Sequence, residues 1–135
     1  MMQYTTIVNA SLAKVWKYMI LKIEKPENFV PGVIGVEILE KTDTFVTRKM
    51  TLTGEESNTI LKELITFVPY KVRFLLLEHP KLEGYVDNEI KYISENETEI
   101  TFTINWKDKT TQTEINNSEI VKNAVLKTKK FIEDN

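Results

Sequence analysis

The chain of 135 residues has no cysteine, a single histidine, four glycines and four prolines. Without cysteine there are no disulfides, no thiolate metal sites and no cysteine nucleophiles. One histidine, His79, leaves a zinc site short of its usual ligands, so no metal is expected, and His79 reads as a solvated loop residue at a pocket mouth. The glycines are scattered and no Gly-Lys-Ser/Thr motif occurs, which removes the phosphate-cradling loop of nucleotide enzymes. None of Ser11, Ser57, Ser94 or Ser118 lies in a nucleophile-elbow context, so a serine hydrolase is excluded. No cofactor is expected. The longest apolar run, Phe74 to Leu77, is far too short to span a bilayer. The opening Met1-Met2-Gln3-Tyr4 has neither a basic nor an apolar leader pattern, so no signal peptide is expected. The expected location is the cytoplasm. Net charge is -2 with dispersed basic residues, leaving no electrostatic footprint for nucleic acid.

What is present is an ordinary globular composition, 41% hydrophobic and 28% charged. Residues 1–135 are expected to form one domain, long enough to bury a core unaided. Tyr4 to Asn9 reads as a strand. Ser11 is placed to cap a helix carrying Leu12, Val15, Trp16, Met19, Ile20 and Ile23 on one stripe, with Lys14, Lys17 and Lys22 opposite. Pro26 ends that helix, and Pro31-Gly32 suits the centre of a type II turn. Period-two runs follow: Val33 to Glu40, Phe45 to Leu52, Ser57 to Val68, Lys71 to Leu77, Tyr85 to Ile93 and Thr98 to Trp106. Gly54-Glu55 is expected as a two-residue type II′ hairpin loop, and Glu78 to Gly84 as a loop. The last segment carries Ile115, Ile120, Val121, Ala124, Val125, Thr128, Phe131 and Ile132 on a broad apolar band. Its helix start is left between two capping-box pairs, Asn116–Glu119 and Thr111–Glu114.

The order strand, helix, about six strands, long helix resembles the START-like or SRPBCC helix-grip superfamily. The segment Asn9-Ala10-Ser11-Leu12-Ala13-Lys14-Val15-Trp16 looks like that superfamily's entry into its first helix. The finer similarity is to its AtaL-like subgroup, carried by Asn28-Phe29-Val30-Pro31-Gly32, by Thr47-Arg48, and by Ala124 followed by Thr128. The resemblance implies an α+β fold: a curved antiparallel sheet of about six to seven strands gripping a long C-terminal helix (β-α-β6-α), with a cavity between helix and sheet. It implies no catalytic residues.

Strand faces suggest what lines that cavity. Arg48 shares a face with Val46, Met50 and Leu52, so it is expected to point inward, where a charge needs a partner. If Gly54-Glu55 is the loop, Arg48 falls opposite Leu61 with Glu63 diagonal to it. A two-residue loop in the preceding hairpin places Glu37 opposite Arg48. One slipped residue would turn either carboxylate outward. Val86, Asn88, Ile90 and Tyr92 form another face, and Ile100, Phe102, Ile104 and Trp106 an unbroken apolar one. The candidate ligand-binding residues are therefore Arg48, Glu63, Glu37, Asn88, Tyr92, Phe102 and Trp106. Arg48 reads equally as an anchor for a ligand anion and as half of an internal ion pair.

The functional reading is a binding protein for a small hydrophobic molecule: a lipid, polyketide or aromatic metabolite. The first alternative is a cyclase, dehydratase or isomerase in which Arg48 stabilises an enolate and Glu63, Glu37 or His79 moves a proton. The second is a protein-interaction module like the superfamily's chaperone activators. No nucleic acid or membrane partner is expected.

Overall fold

The computed structural model describes residues 1–135. Strand β1 (Met2–Val8) leads into helix α1 (Leu12–Glu24), and a 3-10 turn (Pro26–Asn28) follows. Six strands come next: β2 (Val33–Lys41), β3 (Phe45–Leu52), β4 (Thr59–Val68), β5 (Lys71–Glu78), β6 (Leu82–Ser94) and β7 (Glu97–Asp108). Helix α2 (Ser118–Asp134) ends the chain. The strands form one antiparallel sheet in the order β1-β7-β6-β5-β4-β3-β2. Both helices pack on the same face of that sheet, α2 along β1 and β7 and α1 against β6 and β7. The expected grip architecture is what the chain adopts.

Local chemistry explains the element boundaries. Ser11 caps α1 by accepting a hydrogen bond from the Lys14 amide at 3.2 Å. Pro26 opens the 3-10 turn, where its missing N–H is no loss. Gly32 sits at φ 84°, as the Pro31-Gly32 turn requires. The cap of α2 is Asn117, whose side chain accepts from the Glu119 amide; neither expected capping pair is used. Strand β6 begins at Leu82, so it absorbs part of the stretch expected as a loop.

Two hairpins differ from expectation, with opposite consequences. Between β3 and β4 the connection runs from Thr53 to Asn58, since Leu52 pairs with Thr59. Gly54 is not at a left-handed turn position; a Cβ there would come within 2.1 Å of the Ser57 carbonyl oxygen, so its role is close backbone approach. The resulting register places Arg48 directly opposite Glu63 instead of Leu61. That shift of two residues preserves each side chain's face. Between β2 and β3, Lys41 pairs with Val46, and Thr42 closes the loop with Phe45. A bulge between Ile38 and Glu40 then leaves Ile38 opposite Arg48. Here the net slip is one residue, so Glu37 pairs with Lys49 on the outer face and is exposed.

The core lies between the sheet and the two helices. Val15, Met19 and Ile23 of α1 meet Val121, Val125 and Ile132 of α2 over Ile65, Phe74, Ile100, Phe102 and Ile104. Phe29, just past the 3-10 turn, is fully buried, with its ring centroid 4.9 Å from that of Phe131 in an edge-on contact, and Tyr18 flanks both. This aromatic group joins the end of α1 to the last turns of α2. Tyr92 takes no part in the core. It lies at the far end of the β6–β7 hairpin, next to a register shift, and is 60% exposed. The inward face of β6 extends past the area the helices cover, which corrects its assignment to the cavity. Phe29→Ala should cost about 3–5 kcal/mol in a denaturant melt, while Tyr92→Ala should stay within about 0.5 kcal/mol of wild type.

Candidate functional site

The helices do not fill the concave side of the sheet. An apolar cavity of about 400 Å³ remains between the middle strands, the first half of α2 and two loops. Met50, Leu61, Phe74, Val86, Phe102 and Ile104 supply its sheet wall, and Ile120 and Ala124 of α2 face them. Val30 and Pro31 close one side, His79 and Leu82 another. A depression on the outer surface, around Thr66, Val68 and Arg73, is comparable in volume but open and lined by few apolar groups.

The charged residues of the cavity are Lys22, Arg48 and Glu63, and His79 and Asn123 are its other polar residues. Arg48 is 1% exposed, and its Nε donates to Glu63 Oε1 at 2.9 Å. Its Nη1 donates to the backbone carbonyls of Lys22 at 3.0 Å and Ile23 at 2.7 Å. Those carbonyls belong to the last turn of α1, whose acceptors have no partner within the helix. Arg48 therefore fastens the end of α1 to β3, and its Nη2 makes no hydrogen bond to the protein. A bulge in the β4–β5 pairing falls at Lys62/Glu63, beside this ion pair. Of the two roles open to Arg48, the structural one is visible in full, with one guanidinium nitrogen to spare beside an open volume.

Lys22 was expected on the solvent side of α1; it is instead 4% exposed. It follows Val15 and Met19 at helical spacing, so the apolar stripe itself carries it inward. Its Nζ donates to Asn88 Oδ1 at 2.7 Å and sits 4.2 Å from the Phe102 ring centroid and 5.2 Å from that of Phe74. No carboxylate lies within ion-pairing distance. Burial, reinforced by the Arg48 cation and opposed by Glu63, lowers its pKa from 10.5 to about 7. Asn88 is buried beneath Lys22, and its Nδ2 has no partner. It holds the lysine and does not itself line the open volume.

Phe102 and Trp106 are on the cavity wall as expected, and the Trp106 indole N–H is buried without a partner. Glu63 is brought into the site, whereas Glu37 and Tyr92 lie elsewhere. His79 does reach the cavity. Its Nδ1 accepts from the amides of Lys81 at 3.0 Å and Leu82 at 2.9 Å. Burial and the nearby Lys109 and Lys81 push its pKa down. A neutral ring whose Nδ1 is occupied carries its proton on Nε2, so His79 offers a donor, not a base.

Two predictions follow from this cluster. Arg48→Met should destabilise by about 3–5 kcal/mol, because it strands the Glu63 charge. Adding Glu63→Gln should recover only part of that, since the Lys22 and Ile23 carbonyls stay unsatisfied; chemical denaturation of both variants checks it. For Lys22 the folded pKa is about 7 and the unfolded value 10.5. Across that window the unfolded chain holds the extra proton, so stability rises with pH. Below it both states are protonated and the burial penalty is complete. The stability of wild type relative to Lys22→Met should therefore climb between about pH 7 and 10.5 in parallel melts.

Comparison with known proteins supports the architecture. The Zhui aromatase/cyclase from Streptomyces sp. R1128 superposes with a TM-score of 0.74 at 12% identity, over 98% of this chain and 90% of that one. A START superfamily protein from Mycobacterium smegmatis gives 0.71 at 13% identity, over 98% and 93%. The major latex-like protein 151 of Panax ginseng gives 0.69 at 14%, over 98% and 94%. At such identities the likeness is one of fold. No curated protein matches the chain in sequence. The family described as acetylaranotin biosynthesis cluster protein L, AtaL, matches residues 2–133. The chain thus belongs to the AtaL family and has the helix-grip fold of these structures.

Proposed function

We propose that the protein binds a mostly apolar small molecule with one anionic or hydrogen-bonding end, of the lipid, polyketide or aromatic-metabolite type. The observation that carries this reading is a mostly apolar cavity whose charged groups are Lys22, Arg48 and Glu63. Such a composition gives affinity through the walls and orientation through a few fixed donors. The spare Nη2 of Arg48 and the Lys22 ammonium are two cationic donors against one carboxylate. A carboxylate, phenolate or enolate is the ligand end that this imbalance favours. His79, with Nε2 as its donor, adds a neutral polar group to the wall. The solved relative described as an aromatase/cyclase supports a ligand of aromatic or polyketide character.

A second reading is a cyclase, dehydratase or isomerase. The observation in its favour is that Glu63 and Arg48, a carboxylate and a cation, line the same open volume. Arg48 would stabilise an enolate and Glu63 would move the proton. A cavity left open by its side chains supports both pocket readings over the interaction-module alternative.

Calorimetric titration with a bicyclic aromatic carboxylate tests the first reading. Ala124→Trp, which places an indole in the cavity from α2, should weaken binding at least tenfold while the circular dichroism spectrum is retained. Equal affinity in wild type and variant would place the ligand elsewhere. Turnover of a β-dicarbonyl substrate that disappears in Glu63→Gln would decide for the enzyme.

A further inference from the structure

We propose that Lys22 is a covalent attachment point, its amine condensing with the aldehyde or ketone carbonyl of an apolar ligand seated in the cavity to form an imine. The inference rests on the binding reading above and adds a reaction to it. Lys22 is the one lysine among the buried residues, and it lines the cavity. A lysine kept only for structure would be expected to meet a carboxylate. The Lys22 Nζ makes a single hydrogen bond, to a neutral amide oxygen, and stands over the Phe102 and Phe74 rings. The charged groups acting on it are Arg48 of β3 and Glu63 of β4; the first opposes the ammonium form and the second favours it. His79 borders the same cavity and is held neutral by its own surroundings.

This is the setting in which a lysine acts as a nucleophile: a desolvated amine beside another cation, next to an apolar volume large enough for a substrate. The Nζ lone pair adds to the carbonyl carbon, the C=O π pair moves to oxygen, and the nitrogen's protons pass to that oxygen through water at the cavity mouth. The C–O bond then breaks and one water leaves, so amine plus carbonyl gives imine plus water with no redox change. Asn88 Oδ1 accepts from Nζ and so fixes where the amine stands. Because its pKa is about 7, much of Lys22 is free amine at neutral pH, which an exposed lysine is not.

The test is to incubate the full chain with 2-naphthaldehyde, trap with cyanoborohydride, and map the adduct by peptide mass spectrometry. One adduct per chain is expected, on Lys22. Its rate should rise about tenfold from pH 6 to pH 8 and level off, whereas an ordinary exposed lysine gains about a hundredfold over the same interval. Lys22→Met should lose the adduct, and Lys17→Arg, on the exposed side of α1, should leave the labelling unchanged. If Lys22→Met fails to fold, the peptide map and pH profile of the wild-type protein decide alone. Adducts spread over exposed lysines, or none at Lys22, would overturn the proposal. Binding of unreactive 2-naphthol, followed by calorimetry, separates the two levels. If naphthol binds and Lys22 is not labelled, only the covalent step is wrong; if neither compound binds, the cavity reading falls and this proposal with it.

Discussion

Arg48 holds the two halves of the grip together. A guanidinium presents its donors in a rigid fork; here Nε meets a carboxylate on β4 and Nη1 meets two carbonyls at the end of α1, while Nη2 stays free. Burying a cation this deeply is costly, and the partners on β4 and α1 offset that cost only when all are in place. The constraint therefore fixes the β3–β4 register, the end of α1, and the position of Lys22, whose own carbonyl is one of the acceptors. The chain must then turn through Pro26 and Gly32 to reach β2, and that turn contributes Val30 and Pro31 to the cavity wall. The site and the scaffold share one interaction.

The cavity follows from where the helices make contact. α2 lies chiefly along β1 and β7, and α1 over β6 and β7, so β3 to β5 curve away without a helix directly upon them. Met50, Leu61 and Phe74 face the gap. Lys22 and Arg48, both cationic, stand over the same Phe74 ring at 5.2 Å. Burial first, and then the Arg48 charge, bring the Lys22 pKa down to about 7. An incoming anion would relieve the repulsion between the two cations, whereas an incoming carbonyl would meet an amine that is in part free of its proton at neutral pH. The same pair of cations serves both outcomes.

The sequence made the architecture legible because helix stripes and strand alternation are local signals. Site residues depended on register, and register depends on loop geometry that composition does not reveal. Glu63 was recovered although the expected Gly54-Glu55 loop was wrong, because a two-residue slip keeps a side chain on its face. Glu37 was lost to a one-residue slip set by the Thr42 loop and the Ile38/Glu40 bulge. Tyr92 shares the parity of Asn88 but lies beyond the helices' cover, and parity carries no information about where cover ends. Lys22 was legible in principle, three residues after Met19 and seven after Val15; its charge argued for the solvent side and hid the spacing. The capping choice at Asn117 turned on which of several polar residues the tertiary contacts would select.

In the proposed complex, ligand enters the space between α2 and the sheet and meets Lys22 and Arg48 with its polar end. Titrating isotopically labelled protein with 2-naphthoate, followed by methyl and amide NMR, tests it most directly. Perturbations should concentrate at Met50, Leu61, Ile104, Ala124 and the Trp106 indole. Perturbations centred on Thr66, Val68 and Arg73 of the outer face, or none at saturating ligand, would contradict it.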